Sequence, residues 1–400
     1  MRLTSALEHQ AFRRVFAGNL ASNVGTWMQN ITLVALAYSL TGSAWFTGVI
    51  TFAQLGPMLL LSPAAGALAD RADRRRIMVA VAATQTVLSM VLAVVATDPT
   101  PSKALLVLLV GGIGTGAAVN GPAAAATLPA LVPRDDLQSA IALNSAAMNA
   151  SRVAGPILGG LVGALGGAPL VFVVNGLTYL FVILAVCSVD VDFTPKGNRD
   201  EGPLEQLRRG LRAARADRVV SRVLVTISVL SLCSLVFVYQ MPLLAERHLG
   251  LAGWRFNLLF ASFALGAALG ALAMGSFLSA HDRGRVIRVA LFVFAGSLAV
   301  FGTTRTVAVA FPAVFVLGGA YFVIITALST TLQMQVDDEV RGRIMGLWMM
   351  GWAGLVPLGS LIAGPVIDRT SISLVLLFGA VVALVLGLVV DLRRTPAPRP

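Results

Sequence analysis

The chain has 400 residues, of which 57% are hydrophobic and only 12% carry a charge. A soluble domain has roughly 45–50% apolar and about 25% charged residues, so this composition excludes an ordinary soluble protein and predicts one embedded in a lipid bilayer. The formal net charge of +11 raises nucleic-acid binding as an alternative, but that function requires the basic residues to collect in one patch.

Twelve apolar runs follow one another along the chain. A helix that crosses a bilayer needs about 20 predominantly apolar residues, and each run approaches or exceeds that length between charged residues or turns rich in Gly and Pro. We therefore expect an all-α integral membrane protein with twelve transmembrane helices, at residues 15–40, 46–69, 77–97, 104–130, 138–166, 169–189, 220–246, 253–279, 286–304, 307–334, 342–367 and 372–390.

The Lys and Arg residues predict how these helices are oriented. If the N-terminus is cytoplasmic, 24 of the 30 Lys and Arg residues lie on the cytoplasmic side, one lies inside a span, and the outer side holds only Lys103, Arg247, Arg255, Arg305 and Arg369. An excess of basic residues in cytoplasmic loops is the rule for membrane proteins. The sequence therefore predicts a multi-pass protein of the inner (cytoplasmic) cell membrane with both termini in the cytoplasm. Basic charge spread along that face indicates contact with membrane lipids and excludes a nucleic-acid partner.

The turn after the second span carries the most specific motif of the chain. Residues 66–76 read G-A-L-A-D-R-A-D-R-R-R, which resembles the signature G-x-x-x-D-R-x-G-R-R between helices 2 and 3 of major facilitator superfamily transporters. Asp73 replaces the usual Gly, a variant similar to the branch of macrolide-efflux proteins and enterobactin exporters. The positions that match the signature are Gly66, Asp70, Arg71, Arg74 and Arg75.

This resemblance implies a fold and a mechanism. The fold has two parallel six-helix halves, and in alternating access these halves move around a central site. For this branch, the resemblance implies secondary active efflux of a hydrophobic drug-like compound or siderophore, as in multidrug resistance, with proton antiport as the candidate energy source. The motif implies a conformational switch, in which Gly66 permits close helix contact and Asp70 pairs with a nearby Arg in one state.

A second motif lies in the fifth span. Gly155, Pro156, Gly159 and Gly160 follow Arg152 and are similar to the antiporter signature of exporter branches. Proline kinks a membrane helix, and small residues let neighbouring helices approach closely. Ordinary packing of a Gly-rich helix is the alternative interpretation.

Arg152 is the one ionisable residue well inside a predicted span, and such a residue is a functional hypothesis by default. Asn144 and Met148 share its helix face, at spacings of four residues. Two interpretations stay open. Arg152 is either a cavity cation that binds an anionic substrate or a counter-acid, or a structural residue that binds backbone carbonyls and supports gating.

The resemblance implies that helices 1, 4, 7 and 10 line the substrate cavity. Helix 1 carries Asn23, Trp27 and Asn30 on one face, with Gln29 beside them. Aromatic, amide and Met side chains with few fixed charges suit a bulky amphipathic small molecule, although packing between helices is the alternative for each of them. The further cavity candidates, on helices 4, 7, 10 and 11, are Asn120, Tyr239, Gln240, Tyr321, Trp348 and Trp352.

All 19 acidic residues fall in loops or near the ends of spans. Proton antiport needs a titratable group that reaches both sides of the membrane, and Glu246 and Asp70 are the best candidates. A rim charge beside Arg247 is the alternative for Glu246. In helix 4, Val110 stands four residues before Gly114, where many proton-coupled drug antiporters have an Arg. Proton coupling therefore depends on the resemblance alone.

A polar stretch at 190–218 divides the chain into an N-terminal half, 1–189, and a C-terminal half, 219–400. It ends in an amphipathic segment in which five arginines surround Leu204, Leu207, Leu211 and Ala214. We expect a flexible connector and then a helix at the cytoplasmic surface; contact with lipid headgroups and a plain solvated linker both stay open. An acidic turn followed by a helix with a late Gly-Pro pair occurs after the fourth and the tenth span, about 200 residues apart, which predicts parallel repeats.

Other classes of function have less support in the sequence. We find no metal-ligand cluster, catalytic triad or phosphate-binding glycine loop at a credible spacing, and so predict no enzyme, no metal and no cofactor. The expected partners are an amphipathic small molecule, membrane lipids and protons, and the chain is expected to be a monomer. The alternatives are uptake or exchange of a small metabolite, and a non-transporting assembly or regulatory subunit. The Asp70 motif counts against a static subunit, which needs no conformational switch.

Overall fold

Helices account for all regular secondary structure in the residues that the structure describes. The computed structural model describes residues 4–194, 203–251, 254–278, 281–336 and 338–390. The expected flexible connector falls mainly on 195–202, outside the described residues, and the same holds for the side chains of Leu204 and Leu207.

The N-terminal half contains α1 (Gln10–Thr41), α2 (Ala44–Arg71), α3 (Arg74–Val95), α4 (Lys103–Thr127) and α5 (Leu137–Cys187). Local chemistry sets the ends of these helices. Gly42, with φ of +62°, adopts the left-handed conformation that ends α1. The side chains of Asp73 and Ser102 accept backbone N–H groups and thereby cap the first turns of α3 and α4.

The long helix α5 contains both the fifth and the sixth predicted spans. Its 51 residues are interrupted by a kink at Gly166 and Gly167, whose backbone angles are not helical. Gly167 has φ of +66°, a conformation that favours glycine, and Pro169 follows with no backbone N–H to donate. We call the helix before this kink α5a and the helix after it α5b. The kink falls where the sequence predicted the boundary between the two spans.

Nine further α-helices follow within the described residues, the first of them in the linker 190–218. They are α6 (Pro203–Ala216), α7 (Arg218–Cys233), α8 (Phe237–Leu249), α9 (Trp254–Gly275), α10 (Arg283–Thr303), α11 (Val307–Gln335), α12 (Asp338–Met349), α13 (Leu355–Arg369) and α14 (Ile372–Val389). The predicted seventh span comprises α7 and α8, and the eleventh comprises α12 and α13. A π-helical turn, Met350–Gly354, joins the latter pair.

The amphipathic helix predicted in the linker is α6. Gly210 is buried against α12, where an added Cβ atom would lie 3.3 Å from the Cβ of Arg343. The opposite face carries exposed arginines and the partly exposed Leu211. The helix therefore packs on α12 along one side, while its basic side faces away from that contact.

Ten segments of the described residues are long and apolar enough to cross a membrane. The segment that contains α5 counts once among them, although the kink divides it into two predicted spans. Helix α1 is absent from the ten because Asn23, Gln29, Asn30 and its other polar residues lower its hydropathy. Every one of the twelve predicted spans nevertheless has a helical counterpart.

The chain forms two compact units. The first comprises Met1–Gly42, Val49–Pro203 and Ala252–Ala261, and the second comprises Ser43–Gly48, Leu204–Leu251 and Ser262–Pro400. Each unit thus includes a short segment from the other half of the sequence. The first turn of α2 belongs to the second unit, and the first turns of α9 belong to the first unit.

Each unit has an apolar interior. In the first unit, Phe12 of α1 and Met78 of α3 lie in one buried cluster with side chains of α5b. In the second unit, the ring of Phe237 lies edge-on to the rings of Phe263 and Phe294, with ring centres 5.6 and 6.0 Å apart. Such edge-to-face pairs are the favoured geometry of aromatic rings, and they join α8 to α9 and α10.

Candidate functional site

Helices α1 and α5a place several of the predicted site residues together in the first unit. The guanidinium carbon of Arg152 lies 5.5 Å from the centre of the Trp27 ring, in a cation–π contact. Its Nη2 atom donates to the sulfur of Met148 over 3.9 Å. Arg152 and Trp27 are half-buried and Met148 is exposed, so part of this face is accessible. We call these three residues the Trp27–Arg152 face.

The glycines of α5a bring the two helices into contact beside this face. A Cβ atom added to Gly155 would overlap the Cβ of Trp27, and one added to Gly159 would lie 3.3 Å from the Cα of Met28. One added to Gly160 would lie 2.8 Å from the amide nitrogen of Asn257, on the first turns of α9. The predicted motif therefore acts as a packing surface in this conformation, since only small residues allow such approach.

The polar residues of α1 have different environments. Asn23 and Asn30 are half-buried, and the side-chain oxygen of Asn30 accepts from the amide of Gln54 on α2. Gln29, by contrast, is buried and faces the interior. Its oxygen accepts from Ser89 on α3 at 3.1 Å and from Asn175 on α5b at 2.9 Å. Gln29 therefore belongs to a polar network that joins three helices, a role that no local sequence pattern indicates.

The candidates of the second unit form a separate group. Trp352 donates its ring N–H to the hydroxyl of Tyr321 at 3.0 Å, and the Tyr321 ring stacks on Phe263 with ring centres 6.1 Å apart. Trp352 lies in the π-helical turn Met350–Gly354, and such turns occur frequently at functional sites. The sequence did not predict this turn.

The remaining cavity candidates vary in exposure. Gln240 is fully buried, and its Nε2 atom donates to the carbonyl of Ala44 and to the hydroxyl of Ser360, each at 3.2 Å. Trp348 is buried as well. These two side chains are therefore closed to a ligand in this conformation, whereas the other three candidates are half-buried: Asn120, Asn144 and Tyr239.

The arginines of the 66–76 motif bind helix ends within the first unit. Arg74 donates to the carbonyls of Ala69 at 3.0 Å and Ala126 at 3.1 Å, near the C-terminal ends of α2 and α4. Arg75 donates to the carbonyls of Val189 at 2.7 Å and Val191 at 2.9 Å, just after α5b. Cations are favourable at the carboxyl ends of helices because the helix dipole is negative there. The two arginines thus connect the start of α3 to the C-terminal ends of α2, α4 and α5b.

The other members of this motif have simpler roles. Asp73 accepts from the backbone N–H of Arg75 at 2.9 Å and caps α3, which gives a local reason for an acid where the signature has Gly. Asp70 is half-buried and Arg71 is exposed. Among the described residues, a Cβ atom added to Gly66 would meet no atom within 4 Å. In this conformation the described residues show no close helix contact at Gly66, and its role in a conformational switch stays a prediction.

Acidic residues near span ends differ in their environments. Glu246 is exposed in the last turn of α8, as expected of a rim charge. Asp368, which the sequence analysis did not single out, accepts backbone N–H groups of Ala44 at 2.8 Å and Trp45 at 3.0 Å. No local pattern signals this contact, since the partners are more than 300 positions apart in the chain.

Comparison with protein families and curated proteins gives full-length matches. The family model described as "Transmembrane secretion effector" matches residues 3–398. The enterobactin exporter EntS of Shigella boydii serotype 4 and that of Escherichia coli strain K12 are each 26% identical to this chain over 405 residues. Each alignment covers 99% of this chain and 96% of the relative.

Comparison with solved structures identifies the fold. A bacterial homologue of the human lysosomal transporter Spinster, in an inward-facing and unoccupied conformation, has a TM-score of 0.73 at 16% identity and covers 97% of this chain and 99% of its own. The nucleoside transporter NupG has a TM-score of 0.74 at 12% identity and covers 95% and 98%. These likenesses, with the helices described above, confirm the predicted twelve-helix membrane fold.

Proposed function

Because the chain belongs to the transmembrane secretion effector family of major facilitator transporters, we propose that it exports a hydrophobic drug-like compound or siderophore by alternating access. The observation that carries this proposal is the similarity to enterobactin exporters over nearly the whole of both chains. At 26% identity the substrate itself can differ, so the proposal extends to a class of amphipathic small molecules.

We place part of the substrate site at the Trp27–Arg152 face. A half-buried indole offers a flat apolar surface, an exposed Met offers an adaptable one, and the guanidinium offers a positive charge. An amphipathic molecule with an aromatic ring and an anionic group matches these three features. Of the two roles open to Arg152, we propose substrate binding; a purely structural role is the alternative outcome of the tests below.

We further propose that the six-helix halves, 1–189 and 219–400, are the moving bodies and that the linker 190–218 tethers them at the cytoplasmic surface. The exposed arginines of α6 are Arg208, Arg209, Arg212 and Arg215. Leu211, 40% exposed, lies among them. Basic amphipathic helices of this kind bind anionic lipid headgroups, so membrane lipids are proposed as partners of a monomeric transporter.

Proton antiport is the proposed energy source. Asp70, half-buried at the end of α2, and Glu246, exposed at the end of α8, are the proposed titrating groups. The support is the family's mechanism, and the test is whether export depends on the proton gradient.

An accumulation assay in cells tests the function. The chain is expressed in a bacterial host that lacks its own drug and siderophore exporters, and its level in the membrane is verified by a fluorescent fusion. We expect lower intracellular accumulation of amphipathic dyes and more siderophore in the medium than in the empty-vector control. Collapse of the proton gradient is expected to remove both effects. Equal accumulation and secretion with and without the chain, at confirmed membrane expression, would contradict export.

A further inference from the structure

The first turn of α2 is held by a carboxylate from another helix. The first N–H groups of a helix have no partner within the helix, and the residue just before the helix usually supplies a cap. Here Asp368, near the end of α13, accepts from the backbone N–H of Ala44 at 2.8 Å and of Trp45 at 3.0 Å. Its carboxylate also accepts from the hydroxyl of Ser43 at 2.8 Å. We call these four residues the α2 cap.

Ser43 extends the cap by one further donor. Its hydroxyl oxygen accepts from the backbone N–H of Phe46 at 3.3 Å while its hydrogen is donated to Asp368. Three successive N–H groups of α2 are thereby bound. A negative charge at a helix N-terminus is also favoured by the helix dipole, so the carboxylate contributes by charge as well as by hydrogen bonds.

Close packing surrounds the α2 cap. A Cβ atom added to Gly364 would lie 2.7 Å from the Cα of Trp45, and one added to Gly48 would lie 2.7 Å from the carbonyl oxygen of Ser360. The backbones of α2 and α13 therefore touch at two levels. Gln240 of α8 adds the two hydrogen bonds described above, to Ala44 and Ser360. The start of α2 is thus held by α8 and α13 together.

The position of this contact along α2 gives it a mechanistic meaning. Ser43–Gly48 belongs to the second compact unit, whereas α2 from Val49 onward belongs to the first. Helix α2 therefore passes from one unit to the other just after the α2 cap. In the proposed alternating access, in which the halves 1–189 and 219–400 are the moving bodies, each end of the transporter opens in turn. Since α2 and α13 belong to different halves, opening this end would separate the first turn of α2 from α13.

We propose that Asp368 is a releasable cap on α2. It stabilises the state in which α2 and α13 are in contact, and its hydrogen bonds to α2 must break in every transport cycle. This inference rests on the proposed alternating-access function. Asp368 is exposed to solvent. When its hydrogen bonds to α2 break, water can replace them, so the carboxylate keeps its hydrogen-bond partners. The effect of a helix cap is modest, equivalent to about a twofold to thirtyfold change in an equilibrium, which suits a contact that forms and breaks.

The rate at which a buried thiol is labelled tests the cap. Thr47, 1% exposed in the first turns of α2, is replaced by Cys in a chain whose own cysteines are changed (Cys187→Ser and Cys233→Ser). The purified protein in lipid nanodiscs, where reagent reaches both faces, is labelled with a maleimide. We expect Asp368→Ala to raise the labelling rate about threefold to thirtyfold, with Asp368→Asn in between.

The matched control is Asp98→Ala. Asp98 is also an exposed acid and caps a turn in its own loop, where it accepts from the N–H of Thr100 at 2.8 Å. This variant is expected to label at the rate of the parent. Thermal unfolding curves of all variants identify any that are misfolded, and Asp368→Asn then serves in place of Asp368→Ala. An equal labelling rate for folded Asp368 variants and the control would overturn the proposal.

A cross-link tests the requirement for release. Ser43→Cys and Asp368→Cys together are bridged by a short bifunctional thiol reagent with a reducible link, and each single variant is treated in parallel. We expect transport to stop on bridging and to return on reduction, while the single variants stay active. Undiminished transport by the bridged protein would overturn the proposal. If the parent chain transports none of the tested substrates, the proposed function fails, whereas the labelling rates still decide the role of Asp368.

Discussion

At the residue scale, two uncharged side chains contact the Arg152 guanidinium. It lies over the ring of Trp27 and donates to the sulfur of Met148. A cation over an aromatic ring gains about 0.5–2 kcal/mol, more when water is excluded. The same arrangement would present a charge and a ring surface side by side to the proposed anionic aromatic substrate.

Replacing Arg152 by Ala tests whether that charge binds substrate. We expect the KM for an anionic aromatic substrate to rise about tenfold, because a charge-assisted contact of about 1.5 kcal/mol is lost. A neutral substrate of similar size is expected to change less than about twofold by the same reasoning. The measurement is initial transport rate against concentration for the two substrates in membrane vesicles.

Two further variants complete this comparison. Arg152→Lys keeps the charge without the planar group and is expected to retain part of the preference for the anion. Arg305→Ala removes an exposed arginine elsewhere and is expected to alter neither KM. Equal losses for anionic and neutral substrates in Arg152→Ala would instead assign Arg152 a structural role in gating.

The sequence predicted the members of this face but not their contact. Helical spacing shows which residues of one helix share a side, and it correctly grouped Met148 with Arg152. Helical spacing does not show which sides of distant helices meet, so it could not predict the contact of Arg152 with Trp27. For the same reason it could not separate Gln29 and Gln240, both buried and hydrogen-bonded, from half-buried neighbours such as Asn30.

At the element scale, the start of α3 depends on Asp73. Its carboxylate accepts from the backbone N–H of Arg75, and loss of such a cap costs about 0.5–2 kcal/mol, whereas replacement by Gly costs only a few tenths. The position is therefore one where both Asp and the Gly of the superfamily signature satisfy the same backbone geometry.

This explanation predicts the order of three proteins in a thermal-unfolding experiment. Asp73→Gly is expected to unfold close to the temperature of the parent, and Asp73→Ala is expected to unfold at a lower temperature, in line with a loss of about 1 kcal/mol. The measurement is the unfolding midpoint of the purified protein in one detergent. If Asp73→Gly proved as unstable as Asp73→Ala or more so, capping would not explain the residue.

The contact between α1 and α5a supplies a second prediction at this scale. Gly155→Ala is expected to lower the thermal-unfolding temperature, because the new methyl group overlaps the Cβ of Trp27 and overpacking costs about 1–3 kcal/mol. The control is Gly163→Ala on the same helix, where, among the described residues, the added methyl would meet only Val171, at an ordinary 3.8 Å. A Gly155→Ala protein as stable as the Gly163→Ala protein would show that the helices are not tightly packed there.

At the scale of the whole molecule, the lengths of the apolar runs predicted most of the helical architecture. The twelve spans follow from the need to fill a bilayer with helices, and the kink at Gly167 falls at the predicted junction between two of them. The breaks between α7 and α8 and at the π-helical turn were not predicted, because both interrupt long runs that are predominantly apolar. Each unit also includes a short segment from the other half of the sequence, Ser43–Gly48 in the second unit and Ala252–Ala261 in the first. These assignments depend on contacts between residues far apart in the chain, which local sequence patterns do not predict.

The distribution of basic residues also makes a prediction for the whole chain. A green fluorescent protein fused after residue 400 is expected to be bright, and alkaline phosphatase at the same position is expected to be inactive, because the C-terminus is predicted to be cytoplasmic. A phosphatase fused in the predicted outer loop at 98–103 is expected to be active and serves as the control. An active phosphatase at the C-terminus would reverse the predicted orientation.

The most direct measurement of the central claim uses the purified chain alone. The protein is reconstituted in lipid vesicles without ATP, a proton gradient is imposed, and movement of a fluorescent amphipathic substrate is followed in real time. We predict substrate movement against its concentration gradient that stops when an ionophore collapses the proton gradient. Vesicles without protein control for passive diffusion. Movement no faster than in those vesicles, with folded protein present and several amphipathic substrates tested, would contradict the proposal that this chain is a secondary active exporter.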